Sequence, residues 1–454
     1  MKISTAFIAL AGCYFVAIAP LPGQNKAMQT KLMIADPGHF HATLLQKDMY
    51  PEIDRRVFVY ARLGPELLDY LNRISLFNSR PENPTRWELD VHTSSDPMRE
   101  MLRDKPGNAV VFTGRNRGKI DRILDSLNAG IHVFADKPWI ISSSDLPKLD
   151  AALGIAERKG LAAYDIMTER YEAICEVQRM LVNSPEIFGQ LQNGSAEHPG
   201  ITAKSIHHIS KIVAGVPLRR PAWFFDAVEY GEGLADVGTH VVDLVQWTAF
   251  PNQAIDYRKD IQMIDGRHWP VVIDKAQFSK VTGEPDFPAT LSANVHDGKL
   301  NYFCNNSVHY ALKGVHVKLD ILWNWEAVEG GDVYEAVFNG TKSRVEIRQG
   351  KAEKFNPEVY VFPVSESTIA EVVKKIAGLQ TRWPGLGLEQ AGKGVRIIVP
   401  DRYRVGHEAH FAQVATQFLG FIKSPKSMPA WERPNMVAKY FVSTKGVEMA
   451  QSHK

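Results

Sequence analysis

The sequence predicts an α/β protein: a doubly wound parallel sheet, followed by an α+β domain built on a large, mostly antiparallel open sheet. Three observations predict it. Up to residue 165, short apolar runs alternate with segments of helical spacing, the pattern of crossover units whose parallel sheet is covered on both faces. Beyond that point strand-like runs dominate, punctuated by Gly330-Gly331, Asn339-Gly340 and Gln349-Gly350, as in hairpin-rich antiparallel sheets. The composition, 44% hydrophobic and 23% charged over 454 residues, is that of a globular chain, long enough for two or three domains of about 150 residues.

The elements follow in order. Lys31–Ala35 is a buried strand ending in a Pro-Gly turn, and His41 to Met49 has helical character. Val57–Ala61 is the second strand. Gly64 to Phe77 is a helix with Leu67, Leu68, Leu71 and Ile74 on one stripe. Trp87–His92, Asn108–Thr113, Ile131–Ala135 and Leu161–Tyr164 are further strands, with helices over Lys119–Asn128 and Asp145–Lys159 between the later ones. Gly130 ends the first of these helices. A helix near Glu172–Val182 and another after Gly231-Glu232-Gly233 precede the strand-rich region. Its runs are Val271–Ile273, Leu300–Phe303, His309–Lys313, Val315–Trp325, Val333–Asn339, Arg344–Arg348 and Val359–Phe362. An amphipathic helix over His407–Ile422 completes the pattern. The expected division is 1–27 as leader and linker, 28–165 as the first domain and 166–454 as the second.

Charge and cysteines exclude several functions. Lys+Arg 53 against Asp+Glu 51 gives a net charge of +2 without long runs of one sign, so no nucleic-acid partner is expected. Cys13, Cys175 and Cys304 are the three cysteines, too few for a disulfide scaffold and not spaced for zinc. Ile3 to Ala19 is an apolar stretch behind Lys2, too short and too broken by Gly12 and Pro20 for a membrane span. It reads as an export signal. Leu10-Ala11-Gly12-Cys13 has the pattern of a lipobox, with Cys13 as the lipidated residue. Cleavage after Ala19 and an uncut leader are the competing readings. The expected location is therefore the periplasm or a lipid-anchored membrane face.

Two segments carry the chemistry. The first is Thr113-Gly-Arg-Asn116 followed by Ala129-Gly-Ile-His-Val-Phe-Ala-Asp136-Lys137-Pro138; the second is Gly231-Glu-Gly-Leu-Ala-Asp236-Val-Gly-Thr-His240-Val-Val-Asp243. In this order they resemble the Gfo/Idh/MocA family of sugar oxidoreductases, in which a strand ends in a Glu-Lys-Pro turn and a later helix carries an Asp-x-x-x-His pair. It is similar, in particular, to exported or lipoprotein-like members with a distinctive C-terminal oxidoreductase domain. The resemblance implies an N-terminal Rossmann domain binding NAD or NADP, and a C-terminal domain that closes the site and makes a homo-oligomer. It implies that Lys137, Asp236 and His240 face the nicotinamide and a small sugar substrate.

The residue types suit that chemistry independently. Oxidising a C–OH group needs a base for the hydroxyl proton and a positive group beside the developing alkoxide. Lys137 stands at the mouth of a parallel sheet, where such sheets bind ligands. A histidine such as His240 can titrate near neutral pH and is the natural proton acceptor, and Asp236 lies one helical turn earlier on the same face. Each also has a plain structural reading: a solvated turn for Asp136–Pro138, a helix N-cap for Asp236, an interior histidine for His240.

The chain departs from the family at the first turn. Gly-x-Gly-x-x-Gly is replaced by Ala35-Asp-Pro-Gly38-His39-Phe-His41. Only Gly38 survives, at the third glycine position, and His41 matches a later family histidine. Asp36 adds negative charge where phosphates would sit. The acid that usually holds the ribose is missing, and Arg62 stands near its place, favouring NADP. The expected cofactor contacts are Gly38, His39, His41, Arg62, Thr113, Asn116, Asp136 and Lys137. An exported enzyme would retain its cofactor and recycle it by a redox-neutral sequence.

Further candidates lie outside these two segments. Arg170 and Tyr171 follow a strand end where substrate contacts are frequent. His207, His208, Lys211 and Arg220 precede Trp223-Phe224-Phe225, which suits a sugar face or a core. No metal is expected, although Asp236, His240, His207 and His208 are the ligands a metal-dependent lyase on this fold would use. A carbohydrate-binding protein without cofactor is the other alternative.

Overall fold

The computed structural model describes residues 29–213, 216–327 and 330–453. The expected leader, its cleavage point and Cys13 lie outside these residues. Six strands form the first sheet: β1 (Leu32–Ala35), β2 (Arg56–Ala61), β3 (Glu88–Thr93), β4 (Ala109–Phe112), β5 (His132–Ala135) and β6 (Ala163–Asp165). They are all parallel, in the order β3-β2-β1-β4-β5-β6. The order reverses between β1 and β4, and the crevice beyond their carboxyl ends is the natural ligand site of such a sheet. Continuous apolar runs such as Leu32–Ala35 and Ala109–Phe112 are buried throughout, because helices cover both faces.

One face packs on the helix Pro65–Ser79 through Leu67, Tyr70 and Ile74. The expected stripe is corrected there: Leu68 is 59% exposed, and Tyr70 turns inward at the i, i+3, i+7 spacing instead. The expected helix from His41 to Met49 covers only His41–Leu44. A helix over Pro97–Asp104, with Asp96 as N-cap and Pro97 at its first position, adds to the expected elements.

The second sheet has a large, mostly antiparallel path. Its order is Ile261–Ile273, Lys299–Leu312, Val315–Glu326, Ile201–Ser210, Val333–Asn339, Ser343–Gln349, Glu358–Pro363, Gly394–Ile398 and Gly387–Ala391. Val315–Glu326 and Ile201–Ser210 form the parallel pair on this path. Leu300–Phe303 and His309–Lys313 read as separate runs because Asn305, Asn306 and Ser307 interrupt the apolar alternation. They join into one strand: Asn305 Oδ1 accepts from the Trp323 amide at 2.7 Å, and Asn306 Oδ1 from the Leu234 amide at 2.8 Å.

The last two helices cross the expected division at residue 166. His407–Lys423 packs Phe411, Val414 and Phe418 on the first sheet, with Phe418 stacked on Phe134 at 4.6 Å. Glu432–Ser452 inserts Met436, Val437 and Tyr440 into the other face of that sheet, while Ala438, Val442 and Val447 join the core of the second. Buried on opposite sides, that helix lacks the one-sided pattern of a surface helix. Among the described residues no helix is long and apolar enough to cross a membrane.

Candidate active site

Two segments bring the first cluster together. The strand β5 ends in Asp136-Lys137-Pro138, and fully buried Trp139 locks the turn by donating to the Ala135 carbonyl at 3.2 Å. The helix Val237–Ala249 starts after the loop Gly231–Asp236. That loop is pinned by buried Glu232, which accepts from Asn306 at 2.8 Å and Gln451 at 2.9 Å and faces His268 Nδ1 at 3.1 Å. Gly233 is required there, since a Cβ would stand 2.0 Å from the Cys304 carbonyl oxygen.

Across a separation of 99 residues, Lys137 Nζ donates to Asp236 Oδ1. Asp236 makes no side-chain cap on its own helix, so the N-cap reading does not hold. Burial disfavours the Asp236 charge, but Lys137 and then Tyr230 outweigh it and hold the carboxyl below its ordinary range. His240 lies one turn along, with Nδ1 buried and unpartnered. Burial first, then the positive charge of Lys137 and the neighbouring His407, push its imidazole well below the ordinary histidine value. At neutral pH the ring is therefore uncharged and can accept a proton. Lys137, Asp236 and His240 are together as the sequence pattern implied.

The crevice between β1 and β4 holds a second group. Asp136 is buried; its Oδ1 accepts from Lys119 Nζ at 2.7 Å, and its Oδ2 faces His41 Nδ1 at 3.4 Å and His39 Nδ1 at 3.6 Å. Asp36, in the left-handed region at φ 52°, turns its carboxylate to Arg122 at 3.5 Å. Its charge is thus directed onto a guanidinium rather than into the crevice. Gly114 allows this loop to pass, because a Cβ there would lie 2.6 Å from the Asp36 carbonyl oxygen. Thr113 is buried, with its hydroxyl at 3.5 Å from the His39 carbonyl. Arg62 is exposed at the end of β2.

Several expected contacts are corrected. Asn116 is occupied at both ends of its amide: Nδ2 donates to the Tyr230 carbonyl at 2.6 Å and Oδ1 accepts from Lys119 at 2.8 Å. It clamps a loop rather than facing the crevice. Arg170 is a bidentate partner of Asp243, at 2.6 and 2.7 Å, and also binds Glu432 at 2.8 Å. Lys439 bridges Asp243 at 3.2 Å to Asp165 at 2.9 Å. This buried network lies behind the helix that carries His240. Arg220 donates to the carbonyls of Ile209 and His208 and stacks on Phe224 at 4.3 Å. Phe224 and Phe225 are core residues. Trp223 instead reaches Gly38 and donates to Glu66 Oε1 at 2.6 Å.

The proposed lyase ligands do not converge. His207 and His208 both face Asp332 at 3.0 Å, joined there by Lys211 at 2.9 Å. Two groups near the site went unread. His407, first residue of a C-terminal helix, meets His41 with Nε2 atoms 3.1 Å apart, and burial, with His39 and Lys137, lowers its pKa to about 4. Burial pushes the half-buried Glu169 carboxyl up, against the charges of His207 and Lys137. The His407-Glu-Ala-His410 start of a helix was the available signal for the first; Glu169 had none beyond its place after β6.

Residues 177–451, more than half of the chain, match the family described as "Putative oxidoreductase C terminal domain". The chain belongs to that family. It is 41% identical to the crystallised "putative oxidoreductase" from Parabacteroides merdae, over 94% of this chain and 98% of that one, with a TM-score of 0.92. More distant structures share the fold alone. Levoglucosan dehydrogenase in complex with NADH has 13% identity, coverage of 93% and 97%, and a TM-score of 0.59. GenD2 from gentamicin A biosynthesis, in complex with NAD, has 14% identity, coverage of 96% and 98%, and a TM-score of 0.57. Among curated proteins nothing matches the chain. This member of an oxidoreductase family therefore couples a Rossmann-like parallel sheet to a large open sheet, with the Lys137–Asp236–His240 cluster contributed by both parts.

Proposed function

We propose that this chain is an NAD(P)-dependent oxidoreductase acting on a CH–OH group of a sugar or polyol. The observation that carries this reading is the Lys137–Asp236 pair beside a neutral His240 whose buried Nδ1 has no partner. His240 takes the hydroxyl proton, and the Lys137 ammonium stabilises the alkoxide that forms. Asp236 holds Lys137 in place. The distant dehydrogenase in complex with NADH supports the cofactor.

The cofactor fits the donors present. Arg122, whose charge feels Arg115 and Arg62 nearby, keeps a buried Nε without a partner beside the crevice. These guanidiniums and Thr113 would hold the phosphates where the missing glycines leave no backbone cradle. When bound, the nicotinamide accepts the hydride. Export with a lipid anchor at Cys13, and redox-neutral turnover on a retained cofactor, belong to the same reading and rest on the leader pattern. A homo-oligomer is proposed through the outer strand Ile261–Ile273, which exposes Trp269 and Val272.

The test is NAD(P)H fluorescence on binding, then NAD(P) reduction at 340 nm with a panel of sugars and polyols. Lys137→Ala and His240→Ala are each expected to lower the rate more than about tenfold, or 1.4 kcal/mol, with circular dichroism unchanged. Unchanged turnover in either variant, or no affinity for NAD(P), refutes the assignment and favours a carbohydrate-binding protein.

A further inference from the structure

The histidines of the altered phosphate turn have a geometry that a dinucleotide does not call for. His39 Nδ1 and His41 Nδ1 are both buried and make no hydrogen bond. They face one carboxylate oxygen, Asp136 Oδ2, at 3.6 and 3.4 Å. The two rings are 4.1 Å apart and perpendicular, at 87°. A tetrahedral ion with bonds of about 2.0–2.1 Å sets its ligand atoms about 3.3 Å apart. Among the described residues this is the one group of three metal-ligating side chains whose ligand atoms all lie within 4.8 Å of one another.

The surroundings prepare those atoms. Lys119, itself buried, occupies Asp136 Oδ1 at 2.7 Å and the Asp136 carbonyl at 3.1 Å, which leaves Oδ2 as the free donor. Lys119 is anchored in turn by Asn116 at 2.8 Å. His41 Nε2 meets His407 Nε2 at 3.1 Å. When His41 donates that hydrogen bond, its proton sits on Nε2 and the Nδ1 lone pair is directed at the group. Ligating histidines are normally held by such a bond from the distal nitrogen.

We infer that His39 Nδ1, His41 Nδ1 and Asp136 Oδ2 bind a divalent transition ion of the zinc class in the crevice between β1 and β4. Two imidazoles and one carboxylate suit Zn²⁺ or Co²⁺, and three protein ligands leave one position open. Lys119 already neutralises the one carboxylate, so the loaded site is electropositive and its open position favours an anionic oxygen. His407 is a positioning residue for His41. The site gives a role to the two histidines of a turn that lacks the phosphate-binding glycines. It occupies the crevice that the dehydrogenase reading gives to NAD(P), but its test uses neither NAD(P) nor sugar, so the two readings fail separately.

The full chain is stripped with chelator and titrated with Zn²⁺, then with Co²⁺. The expected result is one Zn²⁺ per chain by mass spectrometry of metals, and a Co²⁺ complex with the visible absorption of a tetrahedral site that Zn²⁺ displaces. His39→Gln and His41→Gln are expected to weaken binding at least about tenfold, and His407→Gln by about 10- to 100-fold, the usual range for an outer partner. Asp136→Asn strips Lys119 of its buried partner, so the unmutated protein's Co²⁺ spectrum stands as the second readout. An octahedral spectrum, no stoichiometric binding by the folded chain, or binding unchanged in the histidine variants overturns the proposal.

Discussion

Arg170→Met separates a substrate contact from a structural one. The side chain is 11% exposed and Asp243 4%, so the change removes one partner of a buried pair and leaves two carboxylates, Asp243 and Glu432, without it. Breaking a buried pair this way costs about 3–5 kcal/mol. Two features point to the lower end. Lys439 remains on Asp243 at 3.2 Å, and Glu432, whose pKa burial already raises, can escape by taking a proton. Met keeps most of the buried stem, so little cavity is added. About 3 kcal/mol corresponds to a fall in melting temperature of roughly 6–12 °C at 2–4 °C per kcal/mol, and less for a chain of this length. Burial works against the Asp243 charge, but Arg170 and Lys439 outweigh it and hold the carboxyl below its ordinary value. A depressed carboxylate contributes stability above its unfolded pKa and loses it as pH falls through the folded value. Without Arg170 the folded pKa of Asp243 moves back toward its unfolded value, so the stability gap between parent and variant should be widest near neutrality and narrow as acid is added. Matched thermal and urea melts read the first effect, and melts from pH 3 to 7 the second. A fall under about 1 kcal/mol, with a raised KM for substrate, would refute the structural role and return Arg170 to the substrate site.

Other predictions follow from the same geometry. Because the His240 pKa is lowered, its proton-accepting form persists below the ordinary histidine value, so kcat/KM for oxidation should stay level through pH 6.5 and fall only below it. A midpoint at or above that pH in the rate profile contradicts the burial of His240. Gly233→Ala forces a Cβ onto the Cys304 carbonyl oxygen, a backbone atom that cannot swing aside. It should lower stability by about 1–3 kcal/mol or more, seen as a lower urea midpoint; an unchanged midpoint shows that the loop can shift.

Much of this molecule is legible in its sequence for local reasons. Runs such as Leu32–Ala35 and Ala109–Phe112 are continuous and apolar because parallel strands are buried on both faces. The helix Lys119–Asn128 could be bounded by its spacing and Gly130. Lys137, Asp236 and His240 stand out because a strand-end turn and an i, i+4 pair are short-range patterns. What stayed hidden depended on distant partners. Asn305 and Asn306 look like a break in a strand until Trp323 and Leu234 supply their donors. Glu432–Ser452 is a buried helix without a polar face, since two domains share it.

The sequence alone determined the alternation of strands and helices, the chemistry available at the strand end and the loss of the phosphate glycines, because periodicity and residue type are local properties. Only the tertiary structure decided which charges meet: it set Lys137 on Asp236, withdrew Arg170 and Asn116 into structural bonds, and brought His407 to His41 across 366 residues. The reason is physical. A buried polar group must find a partner, and which one it finds depends on packing between elements far apart in the chain.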